Sequence, residues 1–286
     1  MKRPKKVRLG RSLGGDISLF AVLILFGAFM VLPFLYTIMQ ALKPTEEIFA
    51  FPPRFFVVHP TFDNFLSLST AVSDSWVHVG RYIFNSIFVT TVAVCGNIFV
   101  AAMGGFPLAK MNFRGKKTIS NLITYALLFT APVTAFPQYI IMAKCHMVDT
   151  YWALLLPPMA APLGIFLLKN FMTQLPNSVL EAAKIDGANN FGILTRIALP
   201  NVRSAILTLV IFVTQSVWNG GSTNKFIYSE EMKTLPLMLH QVVASGLARA
   251  GVGAAVTVVV MLFPLTIFLI SQDRIIETMA FSGIKE

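Results

Sequence analysis

Charge is what this chain is short of. Only 13% of its 286 residues are Asp, Glu, Lys or Arg, about half the share in an average soluble domain. With 55% hydrophobic residues beside that shortage, the composition excludes an ordinary water-soluble globule and indicates a polytopic membrane protein. Cysteine is nearly absent. Cys95 and Cys145 make no framework, no CxxC occurs, and both are expected to be unpaired thiols with packing roles. The four histidines, His59, His78, His146 and His240, are scattered without metal-ligand spacing. No GxxxxGK[ST] is present: the run from Gly104 to Lys110 lacks the glycine before the lysine, so this chain offers no P-loop for ATP. No Ser/His/Asp or Cys/His arrangement and no placed carboxylate pair carries a catalytic signature. No catalytic residue is nominated, no metal or other cofactor is expected in this chain, and no enzymatic activity is expected of it. A basic stripe interleaved with aromatics is missing too, which argues against nucleic acid as a partner.

Long apolar runs are there in quantity. Crossing a bilayer core takes roughly 20 apolar residues. Six runs qualify, at 17–39, 82–106, 118–141, 151–171, 204–220 and 252–271, the fifth being short. The expected fold is an all-α membrane protein with six transmembrane helices. The first run follows six basic residues and is too long for a signal h-region, so it is read as a retained span. The net charge of +10 has a topological reading. Sixteen lysines and arginines fall on one side of this arrangement and seven on the other, which places both termini in the cytoplasm. The chain divides into a basic tail at 1–16, a first span with an extracytoplasmic segment at 17–81, a core at 82–271 and a cytoplasmic tail at 272–286. The outer segment before Arg81 reads as a structured cap with a short surface helix in TFDNFLSL. The outer loop after Asn219 reads as a flexible finger followed by a re-entrant or interfacial helix.

The spans hold no Asp, Glu, Lys or Arg in their central portions. Ion-driven carriers usually bury ionisable groups there, so energy is expected from elsewhere. The polar residues within the spans suit helix–helix bonding. Asn97 and Gln215 are the candidates for lining a solute path.

One stretch is polar where its surroundings are apolar: NSVLEAAKIDGANNFGILTRIALP, at 177–200. Glu181, Lys184, Asp186 and Arg196 would cost about 10 kcal/mol together at helix centres in a bilayer, so this stretch lies outside it. Ser178 and Glu181 are spaced as a capping box. A short helix over 179–186 is expected, ended by Gly187 in the left-handed region. Asn189 or Asn190 then caps a second short helix at 191–199, which Pro200 stops. The small residues Ala182, Ala183 and Gly187 leave room for another protein, although the same pattern fits a solvated loop.

Glu181-Ala182-Ala183, then three residues, Gly187, nine residues and Ile197-x-Leu199-Pro200 resembles the EAA loop of ABC importer permeases. FPLAKMNFRGKK (106–117), VDTYWALLLP (148–157), TLPLMLHQ (234–241), the Gln40-to-Pro44 segment and the Ser282-to-Lys285 tail are similar to the maltose-type carbohydrate uptake subfamily. The resemblance covers nearly the whole chain. It departs after Trp218-Asn219, where Gly220-Gly221-Ser222-Thr223-Asn224-Lys225 stands in place of bulky apolar residues. What the resemblance implies is a type I importer permease fold, in the bacterial cytoplasmic (inner) membrane. It also implies a homologous second permease subunit, two ATPase subunits that bind ATP and Mg, and an extracytoplasmic solute-binding protein. The ATPase-coupling residues carried over are Ser178, Glu181, Ala182, Ala183, Asp186, Gly187, Ile197, Leu199 and Pro200. A carbohydrate, in the first place an oligosaccharide, is the implied solute. The rival readings are an ion-coupled secondary carrier, an assembly scaffold without a path, and an importer of a non-sugar solute such as a glycerophosphodiester.

Overall fold

The computed structural model describes residues 13–71, 77–220, 223–244, 246 and 249–282, and every regular element among them is helical. Most of the basic tail, Gly221 and Ser222 of the outer finger, and residues 283–286 of the family-like tail lie outside the described residues. The chain opens with α1 (Leu13–Leu42) and α2 (Thr45–Ile48), followed by α3 (Asp63–Ala71) and the long α4 (Val79–Lys110). Next come α5 (Lys116–Ala126), α6 (Ala131–Lys144), α7 (Tyr151–Met159) and α8 (Pro162–Thr173). The polar stretch forms α9 (Asn177–Ile185), α10 (Asn190–Ile193), a π-helical turn (Leu194–Ala198) and α11 (Leu199–Asn201). After α12 (Arg203–Trp218) and two 3₁₀ turns come α13 (Leu235–Ala244) and α14 (Ala250–Ser282).

Among the described residues, four helices are long and apolar enough to cross a membrane: Gly14–Leu42, Val79–Lys110, Tyr151–Thr173 and Ala250–Ile270. A fifth is reached if Asn190–Asn201 and Arg203–Trp218, which meet at 80°, count as one span. The expected third span at 118–141 is instead two helices. Pro132 has no N–H for the Leu128 carbonyl, and Thr130 is extended there (φ −78°, ψ 153°). The expected fourth span has a similar joint. Pro162 leaves the Pro158 carbonyl without its helical donor, and Ala161 before it is extended (φ −60°, ψ 128°), as a residue preceding proline prefers. Here the neighbouring helix fills the gap: Asn97 Nδ2 donates to Pro158 O at 2.7 Å.

Among the described residues, three apolar clusters hold the helices together. The first joins α4, α8, α9, α10 and α12 through Ala101, Phe106, Leu168, Met172, Leu180, Ile193 and Leu209. α4 and α8 approach closely because their contact positions are small. A Cβ on Gly105 would stand 3.1 Å from Lys169 N, and one on Gly164 only 2.6 Å from Asn97 Oδ1. A second cluster joins the ends of α1 and α3 to α4, α13 and α14, and a third joins α4 to α7 and residues 226–227. By contrast, the most apolar window of α1 has none of its residues buried, the pattern of a helix that faces lipid or another chain. Cys95 and Cys145 are exposed, which corrects the expectation that they pack inside this chain.

Candidate functional site

The polar stretch folds as a compact knob whose entry is fixed by one lysine. Lys110, the last residue of α4, donates from Nζ to Thr173 O (3.2 Å), Leu175 O (2.5 Å) and Asn177 Oδ1 (3.0 Å). Those acceptors line the corner between α8 and α9. The expected capping box does not form. Pro176 takes the cap position and α9 begins at Asn177, with no side-chain cap bond. Pro176 already sets an extended residue before the first turn, so Ser178 falls inside the helix.

α9 buries Leu180 and Ala183 in the first cluster and leaves Ser178, Glu181, Ala182, Lys184, Asp186 and Gly187 exposed. Its end closes as expected. Gly187 is left-handed (φ 84°), Ala188 N donates to Ala183 O at 2.9 Å and Gly187 N to Lys184 O at 3.0 Å. This pair of bonds is the Schellman closure, which satisfies two orphan carbonyls. Asn189 then caps α10, its Oδ1 accepting from Gly192 N at 2.7 Å. Pro200 does not stop the helix at Leu199. The helix widens into the π turn ahead of Pro200, runs to Asn201 and bends sharply into α12. The missing proline donor is absorbed by the wider turn, and Asn201 Nδ2 donates back to Ile197 O at 2.8 Å. Ile197 and Leu199 pack half-buried on the first cluster while Pro200 is exposed.

Three apolar side chains on the knob went unnoticed in the sequence: Val179, Ile185 and Phe191 are 46%, 87% and 58% exposed. Apolar residues among charges read as core until the fold shows them facing outward. Together with Glu181, Lys184 and Asp186 they make a mixed surface suited to a protein partner.

The two path candidates sit in different environments. Asn97 is 1% exposed and serves the α7–α8 joint described above. Gln215 is exposed on α12.

At the other end of α4 a polar network ties down the segment before α13. Asn85 Nδ2 donates to Glu231 O (2.7 Å) and Lys233 O (3.0 Å), and its Oδ1 accepts from the Tyr151 hydroxyl (2.8 Å). The Tyr82 hydroxyl donates to Glu230 Oε1 at 2.7 Å, and Ser86 Oγ accepts from Leu235 N at 2.7 Å. Asp149 accepts from Tyr228 N (2.9 Å), Ser229 N (2.8 Å) and the Ser229 hydroxyl. The hydroxyl bond, helped by the two N–H groups and by Lys233, holds the Asp149 carboxyl below the usual carboxylate range against the opposing effect of burial.

Comparison with known proteins bears on both ends of this helix array. The family model described as "Binding-protein-dependent transport system inner membrane component" matches residues 97–279, which includes the whole knob. Protein LplC of Bacillus subtilis is 32% identical over 203 residues, 68% of this chain and 63% of that protein's length. The polygalacturonan/rhamnogalacturonan transport system permease YtcP of the same species is 27% identical, over 80% of this chain and 78% of its own. The arabinooligosaccharides transport system permease AraQ of Halalkalibacterium halodurans is 26% identical, over 89% and 91%. Among solved structures, one chain of a bacterial ABC transporter involved in alginate import superposes with a TM-score of 0.79 at 20% identity. That match covers 93% of this chain and 99% of the other, a likeness of fold.

Proposed function

Because this chain belongs to the family of binding-protein-dependent transport system inner membrane components, we propose that it is one permease subunit of a bacterial ABC importer for a carbohydrate, in the first place an oligosaccharide. In this reading it forms half of the path together with a homologous permease. It receives solute from an extracytoplasmic binding protein and is driven by two ATPase subunits that carry ATP and Mg. The carbohydrate class is supported by the names of relatives such as AraQ and YtcP. Six spans, with both termini in the cytoplasm, belong to the same proposal. They follow from the lysine and arginine distribution and require the α5–α6 pair to serve as the third crossing.

The observation that carries the coupling reading is the build of the knob. α9 is fastened to the helix array by Lys110 and by Leu180 and Ala183, yet its outer surface is left free. A solvated loop has no need of so rigid a mount. A push on Glu181, Ile185 or Asp186 would pass through the α8–α9 corner into α8 and α4. Glu181 is suited to pair with a basic residue of the ATPase, and Ala182 and Gly187 allow close approach.

Two substitutions test this. Glu181→Lys reverses the exposed charge, and Gly187→Asp adds charge and bulk at the turn. Both variants are expected to reach the membrane in normal amount, to lose co-purifying ATPase and to lose sugar uptake by about tenfold or more, the equivalent of a contact worth about 1.4 kcal/mol. Undisturbed uptake in both would refute the coupling role. Uptake that survives depletion of cellular ATP while the ion gradient is held would establish the ion-coupled rival instead.

A further inference from the structure

The turn that links α4 to α5, residues 111–115, stands apart from the exposed surface of the knob, and its charge is of one sign only. Asp149, at the far end of α4, is the single acidic residue between Asp74 and Glu181, whereas Lys110, Arg114, Lys116, Lys117 and Lys169 gather at or beside the turn. Three of these cations are engaged inside the protein. Lys110 holds the α8–α9 corner. Lys116 Nζ donates to Met111 O at 2.9 Å and Ala109 O at 3.5 Å, closing the end of α4. Lys169 donates to the Ser120 hydroxyl. Arg114 and Lys117 are exposed, and neither has a hydrogen-bond or ion-pair partner among the described residues. Just before them in the turn stand exposed apolar groups, Met111 (37%) and Phe113 (41%). The pattern continues into α5, which buries no residue at all. Its Ile119, Leu122 and Tyr125 (44%, 60% and 56% exposed) recur every three residues and so lie along one side of the helix.

We propose that this turn is a binding surface for anionic phospholipid: Arg114 and Lys117 take the headgroup phosphate, and Phe113 with the Ile119–Leu122–Tyr125 stripe takes the acyl chains. The position supports it, because the turn follows directly on a helix long and apolar enough to cross a membrane. So does the chemistry. The knob presents both signs of charge, which suits a protein surface. The turn presents one sign, with apolar groups interleaved, and leads onto an uncovered apolar stripe. A soluble acidic partner would match the cations alone, whereas a lipid satisfies the apolar stripe as well. A basic residue near an anionic bilayer surface gains affinity for it, and amphipathic helices bind such surfaces by adding apolar burial to that attraction.

The experiment uses the full chain, purified with whatever subunits accompany it. It is equilibrated with equal amounts of phosphatidylglycerol and phosphatidylcholine, and the retained lipid is counted by native mass spectrometry. The wild type is expected to retain phosphatidylglycerol preferentially, and Arg114→Gln with Lys117→Gln to reduce that preference roughly tenfold. Lys144→Gln, which removes an exposed cation at the end of α6, is expected to leave it unchanged, and so is the charge-keeping pair Arg114→Lys with Lys117→Arg. If the glutamine pair fails to insert, the wild type alone decides. Its preference must fade as salt shortens the Debye length from about 30 Å to about 3 Å. Equal retention of both lipids, or a preference indifferent to salt, overturns the proposal. Loss of co-purifying ATPase with lipid retention unchanged overturns it as well, by assigning the turn to a protein partner. None of these outcomes bears on which solute is carried.

Discussion

Gly187 sets the shape of the knob through its backbone alone. Its φ of 84° lies in the left-handed region, and a Cβ there would meet nothing within 4 Å, so the only penalty for a side chain is conformational. Gly187→Ala is expected to cost about 1–2 kcal/mol, loosening the turn and lowering uptake a few-fold. Gly187→Asn, which tolerates that conformation better and carries no charge, should lose less uptake than Gly187→Ala or Gly187→Asp. Uptake assays on both, at matched membrane content, check the order; equal effects would mean that bulk rather than backbone matters. Asp149 makes a prediction about pH at the other end of α4. Its carboxyl is held below the usual range, so its stabilisation is complete above about pH 4, the ordinary carboxylate value. It is lost only as the pH falls through the depressed value. The protection of the Tyr228 and Ser229 amides against hydrogen exchange, measured relative to the intrinsic rate at each pH, should therefore stay high at neutral pH and fall only in strong acid. Asp149→Asn should lower it at neutral pH.

At the scale of elements, α4 and α8 behave as one body. They are joined at one end by the close approach of Gly164 to Asn97, in the middle by that of Gly105 to Leu168 and Lys169, and at the other end by Lys110. Asn97→Leu would leave the Pro158 carbonyl buried without a strong donor, a loss of about 1–3 kcal/mol, visible as a lower unfolding temperature in detergent. Lys110→Met should leave that packing intact, because Phe106 and Leu168 still meet, while freeing the α8–α9 corner. The expected signature is faster proteolysis near Gln174 and fewer solute molecules moved per ATP hydrolysed. An unaltered ratio would show that the corner is held well enough without the lysine. The pairing of α4 with α8 could not be read from the chain beforehand. Gly105 and Gly164 look like any glycines in an apolar run, and only the packed helices show which backbone each one admits.

On the scale of the molecule the question is which end faces which compartment. α4 alone spans about 48 Å at roughly 1.5 Å per residue, with the knob beside one end and the Asn85–Asp149 network at the other. With Cys95 and Cys145 replaced by serine, Ile185→Cys is expected to react with an impermeant thiol reagent only after the cells are opened. Tyr228→Cys should react in intact cells. Ile185 is 87% and Tyr228 60% exposed, so access within the chain limits neither. Labelling of the Ile185→Cys variant in intact cells would reverse the orientation and remove the knob from contact with a cytoplasmic ATPase.

The linear order of residues was enough to establish a helical membrane protein with a polar knob at 177–200, since hydropathy, charge placement and the Glu-Ala-Ala and Gly187 spacing are local properties. It was also enough to place the left-handed turn at Gly187 and to narrow the next cap to Asn189 or Asn190, which depend on residues a few positions apart; the fold chose Asn189. It misjudged the capping box, the stop at Pro200 and the continuity of the third crossing. In each case a proline changed which backbone groups needed partners, and the compensation came from a wider turn, a break or a side chain on another helix. Which lysines are consumed in holding the fold and which remain free, and which apolar residues of the knob face outward, was decided only by tertiary packing. Burial depends on what lies opposite a residue in space, and neighbours along the chain do not specify that.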